Sequence, residues 1–182
     1  MLGAARYFPA ASIKEVKLPE KTAYTNESVP ITIQASVEDR SKLRAYYTNG
    51  EELPIVQISA DTFRTAAHRN GKIKITVDGS DGLKDQKSIS VTQVDREVPV
   101  LRTCTYRNGY MTVKLTDNLS GIDESRSEIH VNNTLYKKDT VWENGNVTFP
   151  CGEKDRIEIR AKDRAGNSKI FRMIPVDKIT GN

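Results

Sequence analysis

Side chains able to do chemistry are sparse in this sequence, and their spacing limits what they can do. His68 and His130 are its two histidines. Neither lies in a His-x-x-His or His-Glu-x-x-His pattern, and neither has a cysteine nearby, so both read as polar strand or loop positions. There is no Gly-x-Ser-x-Gly elbow and no glycine loop shaped for phosphate. Carboxylates are abundant enough to supply an acid–base pair, but no spacing singles one out. The sequence therefore predicts no enzyme. Cys104 and Cys151 are the only cysteines; their even number permits one disulfide and their spacing fits no metal site. The acidic residues in turn-like contexts are Asp95, Glu97, Asp117, Asp123 and Asp163. As hard oxygen donors they suit a cation, and as turn residues they suit backbone N–H groups. Which role they take depends on the elements that carry them.

The chain has 182 residues, comfortable for two small domains. It is 37% hydrophobic and 29% charged, yet its apolar residues sit in alternating runs, which argues for order. The net charge of +4 arises from interleaved signs, as in Asp155-Arg156-Ile157-Glu158-Ile159-Arg160. A nucleic-acid surface would gather basic residues beside stacking aromatics, and no such block exists. No stretch reaches the ~18 apolar residues of a membrane span. The opening Met1–Ala11 is too short for a signal peptide and reads as a tag or the remnant of an upstream segment. Any membrane link would come from an anchor outside this chain.

The elements are strands. Ile13, Val16 and Leu18 open the first half; Ile31, Ile33, Ala35 and Val37 alternate; Leu43, Ala45 and Tyr47 share a face. A strand over Leu53–Ile58 is expected after the Asn49-Gly50 turn. Ile73, Ile75 and Val77 follow, then Ile89 and Val91. The second half repeats the order with Val100 to Cys104, Met111 to Leu115, Ile129 and Val131, a hairpin at Glu143-Asn144-Gly145-Asn146, Ile157 to Ala161, and Ile170 to Val176. Ile73–Gly82 aligns with Ile157–Gly166, and Ile31–Ala35 with Met111–Leu115, so the period is one domain. The expected organisation is 1–11 a remnant or tag, 12–95 one sandwich, 96–178 a second, and 179–182 a tail. Pro99 stiffens the short joint between them. The fold class is all-β, two consecutive Greek-key sandwiches.

Asp117-Asn118-Leu119-Ser120-Gly121-Ile122, followed by Asp163-Arg164-Ala165-Gly166-Asn167 after a strand, resembles the bacterial immunoglobulin-like domains of secreted and surface proteins. The match is good over 97–178 and looser over 12–95, where Val77–Gly82 stands in for the second motif. The resemblance implies a Greek-key sandwich of about seven strands and roles in adhesion, spacing or substrate targeting. The antibody-type Cys-Trp-Cys order is missing. In that topology the loops after the second and sixth strands share one end. Asp117, Asp123 and Asp163 would then meet Asp95 and Glu97 from the joint, an arrangement similar to the calcium sites of cadherin-like repeats. Asp-x-Asp pairs are absent, and Arg96 and Arg164 sit where further carboxylates would be wanted. Turn capping by the same aspartates remains the alternative. Cys104 and Cys151 would lie on strands of one sheet with another strand between them, too far apart for a disulfide unless an edge bends.

Tyr46 and Tyr47 are adjacent and point to opposite faces, and Trp142 is expected in the core, so no aromatic platform for sugar is grouped by sequence. The Asn-x-Ser/Thr triplets at Asn26, Asn118, Asn132 and Asn146 arise readily in a chain rich in these residues. The reading is a non-catalytic extracellular or cell-surface module, or a periplasmic one, with no required cofactor unless calcium binds. It spaces or presents neighbouring domains and binds a protein partner. The alternatives are a carbohydrate- or cell-wall-binding region of a larger secreted enzyme, and calcium-stiffened adhesin repeats.

Overall fold

The computed structural model describes Gly3 and residues 11–20 and 23–176; most of the expected N-terminal remnant and all of the tail 179–182 lie outside the described residues. The chain divides into two compact units between Val94 and Asp95, with Tyr24–Asn26 grouped with the second. The first unit holds β1 (Ser12–Lys17), β2 (Val29–Ser36), β3 (Leu43–Tyr47), β4 (Glu52–Leu53), β5 (Val56–Gln57), β6 (Thr62–Ala67), β7 (Gly71–Asp78) and β8 (Lys84–Val91). The second holds β9 (Val100–Arg107), β10 (Tyr110–Thr116), β11 (Glu128–Val131), β12 (Thr134–Leu135), β13 (Val141–Glu143), β14 (Asn146–Pro150), β15 (Ile157–Lys162) and β16 (Ser168–Met173).

Each unit has two four-stranded antiparallel sheets. The orders are β1-β2-β6-β5 and β4-β3-β7-β8 in the first, and β9-β10-β14-β13 and β12-β11-β15-β16 in the second. This is one Greek-key pattern used twice, the strand order of an immunoglobulin-type sandwich. Period-two alternation explains the interiors. Ile31, Ile33, Phe63, Ile73, Ile75 and Val77 fill the first core; Met111, Val113, Leu115, Phe149, Ile157 and Ile159 fill the second. Successive side chains of a strand face opposite sides of its sheet, so each run supplies one apolar face. Each such side chain contributes about 1.5–3 kcal/mol on burial. Trp142 packs, half-buried, against the second core.

Two expectations need correction. Leu53–Ile58 is not one strand: β4 pairs with β3 in one sheet and β5 with β6 in the other. Pro54 supplies no N–H at the break, and its carbonyl accepts instead from the Thr65 hydroxyl. The strand β6, Thr62–Ala67, is absent from the sequence pattern, because its inward positions are only Phe63, Thr65 and Ala67. Small and hydroxyl side chains blur the alternation there. The loop after the penultimate strand follows the seventh strand of eight in each unit.

Candidate functional site

In the second unit β10 ends into the Asp117 loop and β15 ends into the Asp163 loop. A bridge between Ile122 and Asp163 joins the two loops, helped by Asp123 N–H donating to the Lys162 carbonyl. Local chemistry shapes each loop. Asp117 Oδ1 accepts from the N–H groups of Leu119 and Gly121, and Gly121 supplies the left-handed φ of 79° that closes the turn. Asp163 Oδ1 accepts from the N–H groups of Gly166 (2.7 Å) and Asn167 (2.8 Å), with Gly166 at φ 101°.

These loops bring together a carboxylate hub. Asp95, Asp117 and Asp163 each place an oxygen within 4.8 Å of the others, and Asp95 and Asp163 are fully buried. Asp95 accepts from Glu97 N–H and, through Oδ2, from Ser120 N–H at 2.9 Å. Asn167 ties the hub together: its amide nitrogen donates to Asp163 Oδ2 (2.8 Å) and to the Asp95 carbonyl (3.0 Å). Five of the six carboxylate oxygens therefore accept hydrogen bonds, and the sixth, Asp117 Oδ2, is buried with no partner. Burial pushes the Asp95 carboxyl up, but the hydroxyl and N–H of Ser120 and the N–H of Glu97 together hold it below the ordinary carboxylate range. Among the described residues no cationic side chain pairs with these three. Mutual repulsion at this spacing is roughly 3 kcal/mol per pair at an effective dielectric of ~20. A depression of about 370 Å³ opens beside the hub, with Asp117, Glu124 and Arg164 in its lining.

The other two expected acids do not join. Asp123 is taken by Ser125 and by Arg126, at 2.6 Å, and these contacts lower its carboxyl to about 2. Glu97 meets the Asn118 amide instead. Arg96 donates to the Asn26 carbonyl and the Arg164 guanidinium lies near Gly121, so neither neutralises the hub. Ser120 and Asn167 are the contributors that residue-type reasoning passed over. Both stand inside the two motifs, Ser-Gly and Gly-Asn, and the motif itself was the signal.

The cysteines are free thiols, and the disulfide that their number permits is absent. Cys104 lies on β9 and Cys151 just past β14, with β10 between those strands. Burial and the Asp155 carboxylate push Cys151 up to about 11, so its reactive thiolate is scarce. Cys104 Sγ contacts Met173 Sδ at 3.4 Å. The histidines each meet a carboxylate at 2.9 Å, His68 with Glu51 and His130 with Glu128. Among the described residues no helix is long and apolar enough to cross a membrane.

No family model matches this sequence, and no curated protein matches it. Solved structures give distant likenesses. The fibronectin(III)-like modules of Clostridium thermocellum CbhA share 15% identity over 92% of this chain and 97% of that one, with a TM-score of 0.30. A C-terminal 282-residue fragment of intimin, in complex with the intimin-binding domain of the translocated intimin receptor, shares 16% over 90% of this chain and 64% of that one, with a TM-score of 0.29. Bacteroides ovatus SGBP-B, from a mixed-linkage glucan utilization locus and in complex with a heptasaccharide, shares 10% over 91% of this chain and 45% of that one, with a TM-score of 0.30. At these scores the likenesses carry no argument about site or ligand. Sheet order decides the fold. The chain is a tandem pair of immunoglobulin-like sandwiches.

Proposed function

We propose that this tandem pair is a non-catalytic extracellular or cell-surface module that spaces or presents neighbouring domains and binds a protein partner. The observation that supports it is how the interiors are used. Each sandwich is filled by its own aliphatic and aromatic side chains. The carboxylates buried in the second unit are spent accepting backbone and amide hydrogen bonds that hold loops. A reacting group needs a cleft and a side chain free to move a proton. Sheet edges and loop tips, by contrast, are well placed to be touched. Incubating the full chain with arrays of surface proteins and glycans, and with a panel of polysaccharide and peptide substrates, tests this reading. The expected result is selective retention on protein spots without turnover. Turnover of any substrate overturns it, and selective glycan retention replaces it with the carbohydrate-binding alternative.

One observation favours a second reading, in which calcium occupies the hub. Asp117 Oδ2 is buried, unpartnered and beside two further carboxylates. A calcium ion takes six to eight oxygens, and three carboxylates with nearby carbonyls and waters reach that number. Calorimetric melting in millimolar calcium and in EDTA separates the readings. A calcium-dependent rise in Tm that Asp117→Asn abolishes supports the ion; identical melts in both buffers leave the hub as a set of loop caps.

A further inference from the structure

The four sheets have eight edge strands, and these edges are unequally protected. β4, β5, β12 and β13 are only two or three residues long, too short to template another chain. β1 and β8 guard each other. Asp85 on β8 accepts from Ile13 N–H at 2.7 Å, and Lys87 on β8 donates to the Lys14 carbonyl at 2.6 Å. Side chains thus consume backbone groups that a foreign strand would need. Between β9 and β16, the corresponding pair in the second unit, Cys104 Sγ lies 3.4 Å from Met173 Sδ, a contact that uses no backbone group. Among the described residues no side chain caps the β9 backbone on its open side from Val100 to Thr105.

β9 is also the stronger of the two as a template. It runs eight residues and is exposed along most of its length, with Val100 at 41%. The three strands at this end of the sheet are one-signed, Glu143 on the far edge strand β13 being the acidic residue of the sheet. β9, β10 and β14 carry Arg102, Arg107 and Lys114 and contain no Asp or Glu. Thr103 pairs with Lys114 and Thr105 with Thr112, giving a hydroxyl-and-cation face. A second copy of β9 would meet like charge, which is how edges avoid self-pairing. An acidic strand would meet complementary charge together with the uncapped backbone donors and acceptors of Val100 to Thr105.

We propose that β9 is a docking edge, to which an extended acidic segment of a partner protein adds as a fifth strand of that sheet, its carboxylates facing Arg102, Arg107 and Lys114. The inference rests on the protein-binding reading above and names the chemistry of the partner. Strand addition supplies affinity through main-chain hydrogen bonds, and the flanking cations set direction and preference.

The test uses the full chain, ¹⁵N-labelled, with two capped eight-residue peptides of alternating Glu–Val and Lys–Val. At low salt the Glu peptide is expected to protect β9 amides from exchange and to bind about tenfold more tightly than the Lys peptide. In the charge-reversed variant R102E/R107E the preference inverts, while unchanged β15 amide shifts show that the fold is intact. Four results overturn the proposal: no binding by folded protein, a preference that charge reversal leaves alone, dimerisation of the chain through β9, or occupancy of this face by a heparin fragment but not by the peptide. Failure of the peptide removes strand addition alone; the module reading falls only if the chain turns over a substrate.

Discussion

The two sandwiches share a strand order but differ in where their polar groups are placed. In the first, the loop after the penultimate strand is a plain exposed hairpin. Asp78 lies 3.7 Å from Lys84 at the surface, and Asp81 caps Leu83 N–H. The loop after its second strand carries a single 3-10 turn, Arg40–Lys42, capped by an exposed Asp39. In the second, the same two loops bury Asp163 and gather Asp117 and Asp95 around it. The edges differ in the opposite sense: β1 and β8 are tied together, while among the described residues no side chain caps β9 from Val100 to Thr105. One topology therefore tolerates two designs: a solvated loop end with guarded edges, and a sealed loop end with an open edge. Sheet order fixes the core, while loop residues and edge residues decide what else the domain can do.

The comparison is sharpened first at the cores. Phe63 pairs with Ile33 across β2 and β6, and Phe149 with Met111 across the corresponding strands β10 and β14. Phe149→Ala should remove about 3–5 kcal/mol. Trp142 fluorescence in urea, which reports on the second unit, should register that loss. Phe63→Ala should leave the Trp142 transition in place; an equal shift would mean the cores do not fold separately.

Next come the loops. Asp163→Ala strands the N–H groups of Gly166 and Asn167 in a buried site, an expected loss of about 3 kcal/mol. In the corresponding loop of the first unit Asp78→Ala removes an exposed ion pair with Lys84, and a loss of under about 0.5 kcal/mol is expected. Similar urea midpoint shifts for the two would erase the distinction between sealed and solvated loops. Asp85→Ala uncaps Ile13 N–H and should lower the stability of the first unit by about 1 kcal/mol. Exchange at the Ile13 amide should accelerate by about the corresponding factor of five; unchanged exchange would show that β1 needs no guard.

The smallest effect is with pH. Asp123 is held at about 2 by Ser125 and Arg126 against an ordinary value of 3.8. Its contribution is fully present above pH 3.8 and is lost as pH falls toward 2, a change of order 1 kcal/mol after solvent screening. Asp123→Asn should flatten the acid limb of the Trp142 melting curve by that amount. An unchanged limb would place the acid sensitivity of the second unit elsewhere, with Asp95 the next carboxylate to substitute.

Alternation of Ile, Val and Leu with polar residues determined the sheets, because a strand with one face in a core must repeat every second residue. The Asp-x-x-Ser-Gly and Asp-x-x-Gly-Asn runs, with Gly121 and Gly166 at positive φ, likewise determined how each loop turns. Local sequence could not show that Asp123 leaves the hub for Arg126 while Asp95, far away in the chain, joins it. Nor could it show that, among the described residues, no side chain caps β9 from Val100 to Thr105 while β1 is tied by Asp85 and Lys87. Those outcomes depend on distances between segments remote in sequence, and only the packed sandwich sets such distances.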